Sequence, residues 1–169
     1  RFLDEVLPAT RQPFAERPDW SVLIDLGLPD GLDPAAELEA LFVAGLERDL
    51  CSDGVVAQNE AQRAQFWAMR ETIPEANRLI GAITSTDISV PLEALPDAAL
   101  ARLGDFRVNC FGHVGDGNLH FNVFPPKGRT VTRADPVRKT IMDLVHAEVA
   151  KLGGSVSAEH GVGRLKVDD

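Results

Sequence analysis

Apolar and polar positions change period several times along the chain, and each change marks an expected element. WSVLIDLGL, residues 20–28, is an apolar, β-branched run closed by Gly27, Leu28 and Pro29, which predicts a buried strand. DPAAELEALFVAGLERDL opens with Asp33 as N-cap and Pro34 at the first helical position. Leu38, Leu41, Phe42 and Leu46 then recur at helical spacing, which predicts an amphipathic helix. Ser52, Asp53 and Gly54 break that pattern, and VVAQ, residues 55–58, reads as a short strand. NEAQRAQFWAMRETIPEANRLIG returns to helix, with Pro74 expected to kink or break it. STDISVPL alternates as a strand with Pro91 at its end, and LPDAALARLG predicts a short helix closed by Gly104.

Two alternating runs, RVNCFGHV and NLHFNVFP, flank Gly115, Asp116 and Gly117, and this is a hairpin signal. DPVRKTIMDLVHAEVAKLGG predicts a second capped helix: Asp135 and Pro136 start it, Ile141, Leu144, Val145 and Val149 share a face, and Gly153 and Gly154 stop it. SVSAEHGVGRLK closes the chain. Helices mixed with a hairpin imply an antiparallel or mixed sheet with helices packed on one face, an α+β sandwich.

Composition narrows the function classes. With 169 residues, 44% hydrophobic and 25% charged, a single domain with one sizeable core is expected. The net charge of -9 is unevenly placed: residues 1–60 hold 13 acidic and 4 basic side chains, whereas residues 61–169 hold 13 of each. An acidic chain without a Lys/Arg stripe repels phosphate backbones, so nucleic acid and anionic membrane surfaces are not expected partners. Cys51 and Cys110 are isolated, which fits free thiols in a reducing compartment and a cytoplasmic location. There is no apolar run approaching the ~20 residues that span a bilayer and no signal peptide. The first residue is Arg1, so the N-terminus is expected to be a cut made in a longer protein.

The candidate chemistry lies in FGHVGDGNLHFNV, residues 111–123. On a straight strand His113 and His120 would face opposite ways, since side chains alternate with a period of two. A reversal at residues 115–117 puts them on adjacent strands, where two imidazoles can meet at one metal. Gly112, Gly115 and Gly117 are expected to supply positive φ for the turn and to leave room beside the backbone for a ligand. Asn122 shares the face of His120 and brings an amide to whatever the metal holds. The bland alternative is a polar hairpin ending in ordinary histidines, because two histidines are an incomplete zinc site.

A third ligand is available in SAEHGVGRLK, where Glu159 and His160 are consecutive and can face a metal and a substrate respectively. Two histidines and a glutamate with an open coordination position are the pattern of a catalytic site. The alternative there is a solvated turn. His146, between Val145 and Ala147, reads as a surface or packing residue. Arg70 reads as a solvated or salt-bridged arginine that can, beside a metal, grip a carboxylate bidentately.

GHVGDGNLHFNV, followed about forty residues later by SAEHGVGRLK, with FWAMRETIPEA and DISVPL upstream, resembles the substrate-binding C-terminal domain of the FAD-linked oxidases, the D-2-hydroxyglutarate and D-lactate dehydrogenase group. The likeness covers most of the chain from about residue 20. It implies a ferredoxin-like α+β fold, an antiparallel sheet with helices packed on one face, acting as the cap domain of an FAD-linked oxidase. It also implies that His113, His120 and Glu159 bind a divalent metal, usually zinc, that His160 is the general base, that Arg70 holds the substrate carboxylate, and that Asn122 lies near the substrate oxygens.

The reaction so implied is oxidation of a D-2-hydroxy acid to a 2-oxo acid, with proton abstraction by His160 and hydride transfer to FAD, and with an electron acceptor reoxidising the flavin. Two departures accompany the resemblance. Hydroxyglutarate-type members often carry a lysine two positions before the Asp of DxSxP, where this chain has Ser85. The chain also shows no Gly-rich dinucleotide segment and stops soon after EHGVG, so it is expected to be a fragment lacking the N-terminal FAD-binding domain and a C-terminal closing segment. Two rival classes are a stand-alone metal or small-molecule binding module without redox activity and, ranked last, a hydrolase using zinc-bound water.

Overall fold

The hairpin supplies the framework. In a computed structural model that describes residues 2–91, 105–113, 115–132 and 135–158, two compact units are formed, Arg1–Ala76 and Asn77–Asp169. The second unit holds β1 (Thr84–Ser89), β2 (Arg107–His113), β3 (Asn118–Phe124) and a helix, Val137–Lys151. The three strands form one antiparallel sheet in the order β1-β3-β2, so β3 is hydrogen-bonded on both sides.

Alternation along β3 sorts the sheet into two faces. Phe121 and Val123 are fully buried on one face and are joined there by Ile88 of β1 and by Val108 and Cys110 of β2. Ile141, Val145 and Val149 of the helix Val137–Lys151 close the same cluster. The helix follows the expected stripe except at Leu144, which is 38% exposed. It begins one residue later than expected, but the Asp135 carboxylate still accepts from the Val137 N–H at 3.0 Å.

Gly153, at φ 69°, ends this helix as expected, and the Gly154 N–H reaches back to Val149 O at 2.9 Å. A Cβ on Gly154 would lie 2.2 Å from Ser89 O, so only glycine lets the chain turn there against the edge of β1. Ser155 and Ser89 then exchange two backbone hydrogen bonds of 2.9 Å.

The first unit contains α1 (Phe2–Val6), α2 (Pro34–Glu47) and α3 (Glu60–Glu71). The α2 start is the expected one: Asp33 accepts from the Ala35 N–H at 3.0 Å, with Pro34 as the first helical residue. Its apolar face is only partly covered, since Leu38 and Phe42 are half-buried while Leu41 and Leu46 are exposed. The long helical pattern after Asn59 breaks at Thr72, two residues before Pro74, into α3 and α4 (Ile73–Ile80). The next helix in the chain, Val137–Lys151, is α5.

Two expected strands do not form. Residues 20–28 join no sheet, and Trp20, Val22 and Ile24 are exposed. Asp25, in the middle of that run, instead accepts from Arg63 at 2.7 Å and from Trp67 Nε1 at 3.0 Å on α3, and the Arg63 guanidinium followed by the Trp67 N–H lowers its carboxyl pKa. Residues 55–58 likewise have no ladder partner. The preceding loop folds back on α2, where the Phe42 ring would lie 2.6 Å from a Cβ on Gly54. The helix expected over residues 95–104 lies outside the described residues.

The observed class is the expected α+β, helices with a three-stranded antiparallel sheet, and the ferredoxin-like detail turns on residues outside those described. Replacing the fully buried Phe121 by alanine is expected to cost about 3–5 kcal/mol, read as a lower urea midpoint with an unchanged slope.

Candidate functional site

The face of the sheet opposite α5 carries a row of polar side chains between Phe111 and the fully buried Phe124. Pairing aligns Asp87, His120 and Phe111 across the three strands, and Ser85, Asn122 and Asn109 in the next row on the same face. His113, two residues beyond Phe111, belongs to this face as well. The imidazoles of His113 and His120 are brought together as expected, with ring centroids 6.2 Å apart and planes at 79°. His113 is exposed, while the His120 side chain is 25% exposed and is flanked by the Phe111 ring at 4.9 Å.

The turn that creates this meeting is built differently from the expectation. Of its three glycines only Gly117 has positive φ, 68°. Gly112 is required for another reason: a Cβ there would lie 1.9 Å from Asn118 O, so the two strands approach too closely for a side chain. The Asp116 carboxylate accepts from the Asn118 N–H at 3.1 Å, and Gly117 O accepts from the Val90 N–H at 3.1 Å, fastening the turn to the end of β1.

Asn122 sits where expected but is already engaged. Its Oδ1 accepts from Ser85 Oγ at 2.6 Å, and its Nδ2 donates to His120 O at 2.9 Å and Asn109 O at 3.2 Å. The residue is 3% exposed, so these bonds hold β1, β3 and β2 together on the polar face. Asn109 continues the network by donating to Asn77 Oδ1 of α4 at 2.7 Å, so polar contacts from a helix reach this face too.

The residue that sequence reasoning passed over is Asp87. Its Oδ1 is 3.5 Å from His120 Nδ1, and its side chain is 15% exposed. The alternation of DISVPL places Asp87 on one face of a strand, but nothing in the sequence specifies which residue of β3 lies opposite it. Arg70 is half-buried on the last turn of α3 in the first unit. His146 is half-buried on α5, in keeping with a packing role. Glu159 and His160 lie outside the described residues. Among the described residues no group of three His, Cys, Asp or Glu side chains is arranged to hold a metal. None of the described helices is long and apolar enough to cross a membrane.

A family model, "FAD linked oxidases, C-terminal domain", matches residues 4–168. The chain belongs to that family. Among curated relatives of this FAD-linked oxidase C-terminal domain is the D-2-hydroxyglutarate dehydrogenase of Xanthomonas citri, 38% identical over 181 residues, covering 98% of this chain and 36% of the relative. The mitochondrial D-2-hydroxyglutarate dehydrogenase of Arabidopsis thaliana is 35% identical over 167 residues, covering 96% of this chain and 29% of that protein. A Schizosaccharomyces pombe relative named as a mitochondrial D-lactate dehydrogenase is 33% identical over 174 residues, with 93% and 32% covered. The chain thus spans about a third of the length of these relatives.

Two consequences of this domain's packing can be measured. Asn122→Ala removes the acceptor of Ser85 Oγ and the donor to two backbone carbonyls, and should cost about 1–3 kcal/mol in stability by urea titration. Burial pushes the Cys110 thiol from an ordinary 9.0 up to about 11. Between those two values the folded state keeps a proton that the unfolded state has released, so stability falls as pH rises from 9 towards 11, by about 2–3 kcal/mol in all. Denaturation midpoints across that range check the loss, and a Cys110→Ala variant should lack this component.

Proposed function

We propose that this domain is the substrate- and metal-binding cap of an FAD-dependent dehydrogenase that oxidises a D-2-hydroxy acid to a 2-oxo acid. The observation that carries the reading is the convergence on one polar sheet face. The His113 and His120 imidazoles meet there, with Asp87 across from His120 on the neighbouring strand. In this reading Glu159 is the third ligand beside the two imidazoles.

The donor set suits a divalent ion. Imidazole and carboxylate ligands match zinc, and His113, His120 and Glu159 would hold it. A bound ion of this kind supplies Lewis-acid polarisation of the substrate hydroxyl. His160 would accept the hydroxyl proton, and FAD, where bound, would supply the acceptor for the α-hydrogen and its electron pair, so that the hydroxyl carbon becomes a carbonyl. Arg70 grips the substrate carboxylate, a role suited to a planar guanidinium. Asn122 acts through its amide oxygen, which keeps a second lone pair beyond the Ser85 bond.

Flavin is bound by another part of the full-length protein, in line with a domain that spans about a third of its relatives. The free thiols of Cys51 and Cys110 suit a reducing compartment, the cytoplasm in this reading.

The test is turnover of the full-length protein with an artificial electron acceptor. The substrates are the D and L forms of lactate and 2-hydroxyglutarate, because position 85 offers a hydroxyl where a lysine would grip a second carboxylate. Turnover restricted to the D forms is expected. His160→Ala should lower it by about 10²–10⁴-fold while bound flavin is retained. A full-length protein without flavin or turnover would leave a binding module instead.

A further inference from the structure

Histidine has two ring nitrogens, and a metal takes the one that carries a lone pair, so a site that binds through His120 must also decide which nitrogen holds the proton. Resting on the metal reading above, we infer that Asp87 is a positioning residue that makes this choice for His120. Its carboxylate accepts the Nδ1 proton, fixes the ring against the sheet, and leaves the Nε2 lone pair for the ion.

The geometry behind this is specific. Asp87 and His120 are paired across β1 and β3, with Oδ1 3.5 Å from Nδ1, a few tenths of an ångström beyond the ~2.7–3.2 Å of an N–H···O bond, so a small approach of the two side chains completes one. Both side chains are largely buried, at 15% and 25% exposure, so few waters compete for a hydrogen bond between them. A carboxylate can only accept, so at this nitrogen it selects the Nδ1–H tautomer of a neutral imidazole. On the other side the Phe111 ring, at 4.9 Å, limits rotation of the imidazole away from Asp87.

The backbones that carry the pair are tied independently of it. His120 O accepts from Asn122 Nδ2 at 2.9 Å, and Asp87 O accepts from the Ala158 N–H at 3.3 Å. Asp87 therefore joins the hairpin histidine to the segment that leads into Glu159.

Two measurements on the full-length protein test this. In the metal-free wild type with 15N-labelled histidine, His120 should show the chemical-shift pattern of the Nδ1–H tautomer, and Asp87→Ala should convert it to a mixture. Zinc affinity, read by competition with a chromogenic chelator, should fall about 10–100-fold in Asp87→Ala and recover in part in Asp87→Asn, which keeps an acceptor oxygen. A purely structural role for Asp87 would move neither the tautomer nor the order of the two variants.

An Nε2–H tautomer in the wild type overturns the inference, and that result stands even if Asp87→Ala fails to fold. Zinc affinity unchanged in a folded Asp87→Ala overturns the inference alone. A wild type that binds no zinc overturns the metal reading and this inference with it.

Discussion

The antiparallel sharing of β3 between two neighbours is the constraint on which the second unit depends. A strand bonded on both sides satisfies its backbone without help from solvent, so its side chains are free to serve two different surroundings. Phe121 and Val123 enter the core with Ile88 and α5, while His120 and Asn122 stand on the other face with Asp87 and Ser85. The apolar face provides the stability that keeps the polar one in place, and burying polar groups such as Asn122 is tolerated because each of its amide atoms finds a partner.

What could be read from the sequence follows the range over which each signal acts. The hairpin, the Asp33 cap of α2, the break near Pro74 and the Gly153 stop of α5 are all set by residues within a few positions of one another. The strand expected at residues 20–28 depends on finding a distant edge to pair with, and apolar, β-branched composition does not report whether that edge is available. Asp25 shows the cost of the assumption: a carboxylate within the run is held by Arg63 and Trp67 of α3 rather than lying in a ladder.

The candidate site divides in the same way. The meeting of His113 with His120 could be deduced because a turn of three residues determines it. Asp87 could not be assigned, since its place opposite His120 comes from the register between strands about thirty residues apart in the chain. The role of Gly112 was also misjudged: its identity answers to the proximity of Asn118 O, a contact that exists only once β2 and β3 have paired.

The two-faced character of β3 has a further consequence for folding fidelity. A slip of one residue in its pairing would expose Phe121 and Val123 and drive His120 and Asn122 into the apolar layer beneath α5. Such an arrangement loses its core and strands its amides at once, so it is rejected before any ligand arrives. The alignment of the polar-face side chains is in this sense proofread by hydrophobic burial, and a chain that has formed its core has thereby already set its histidines in place.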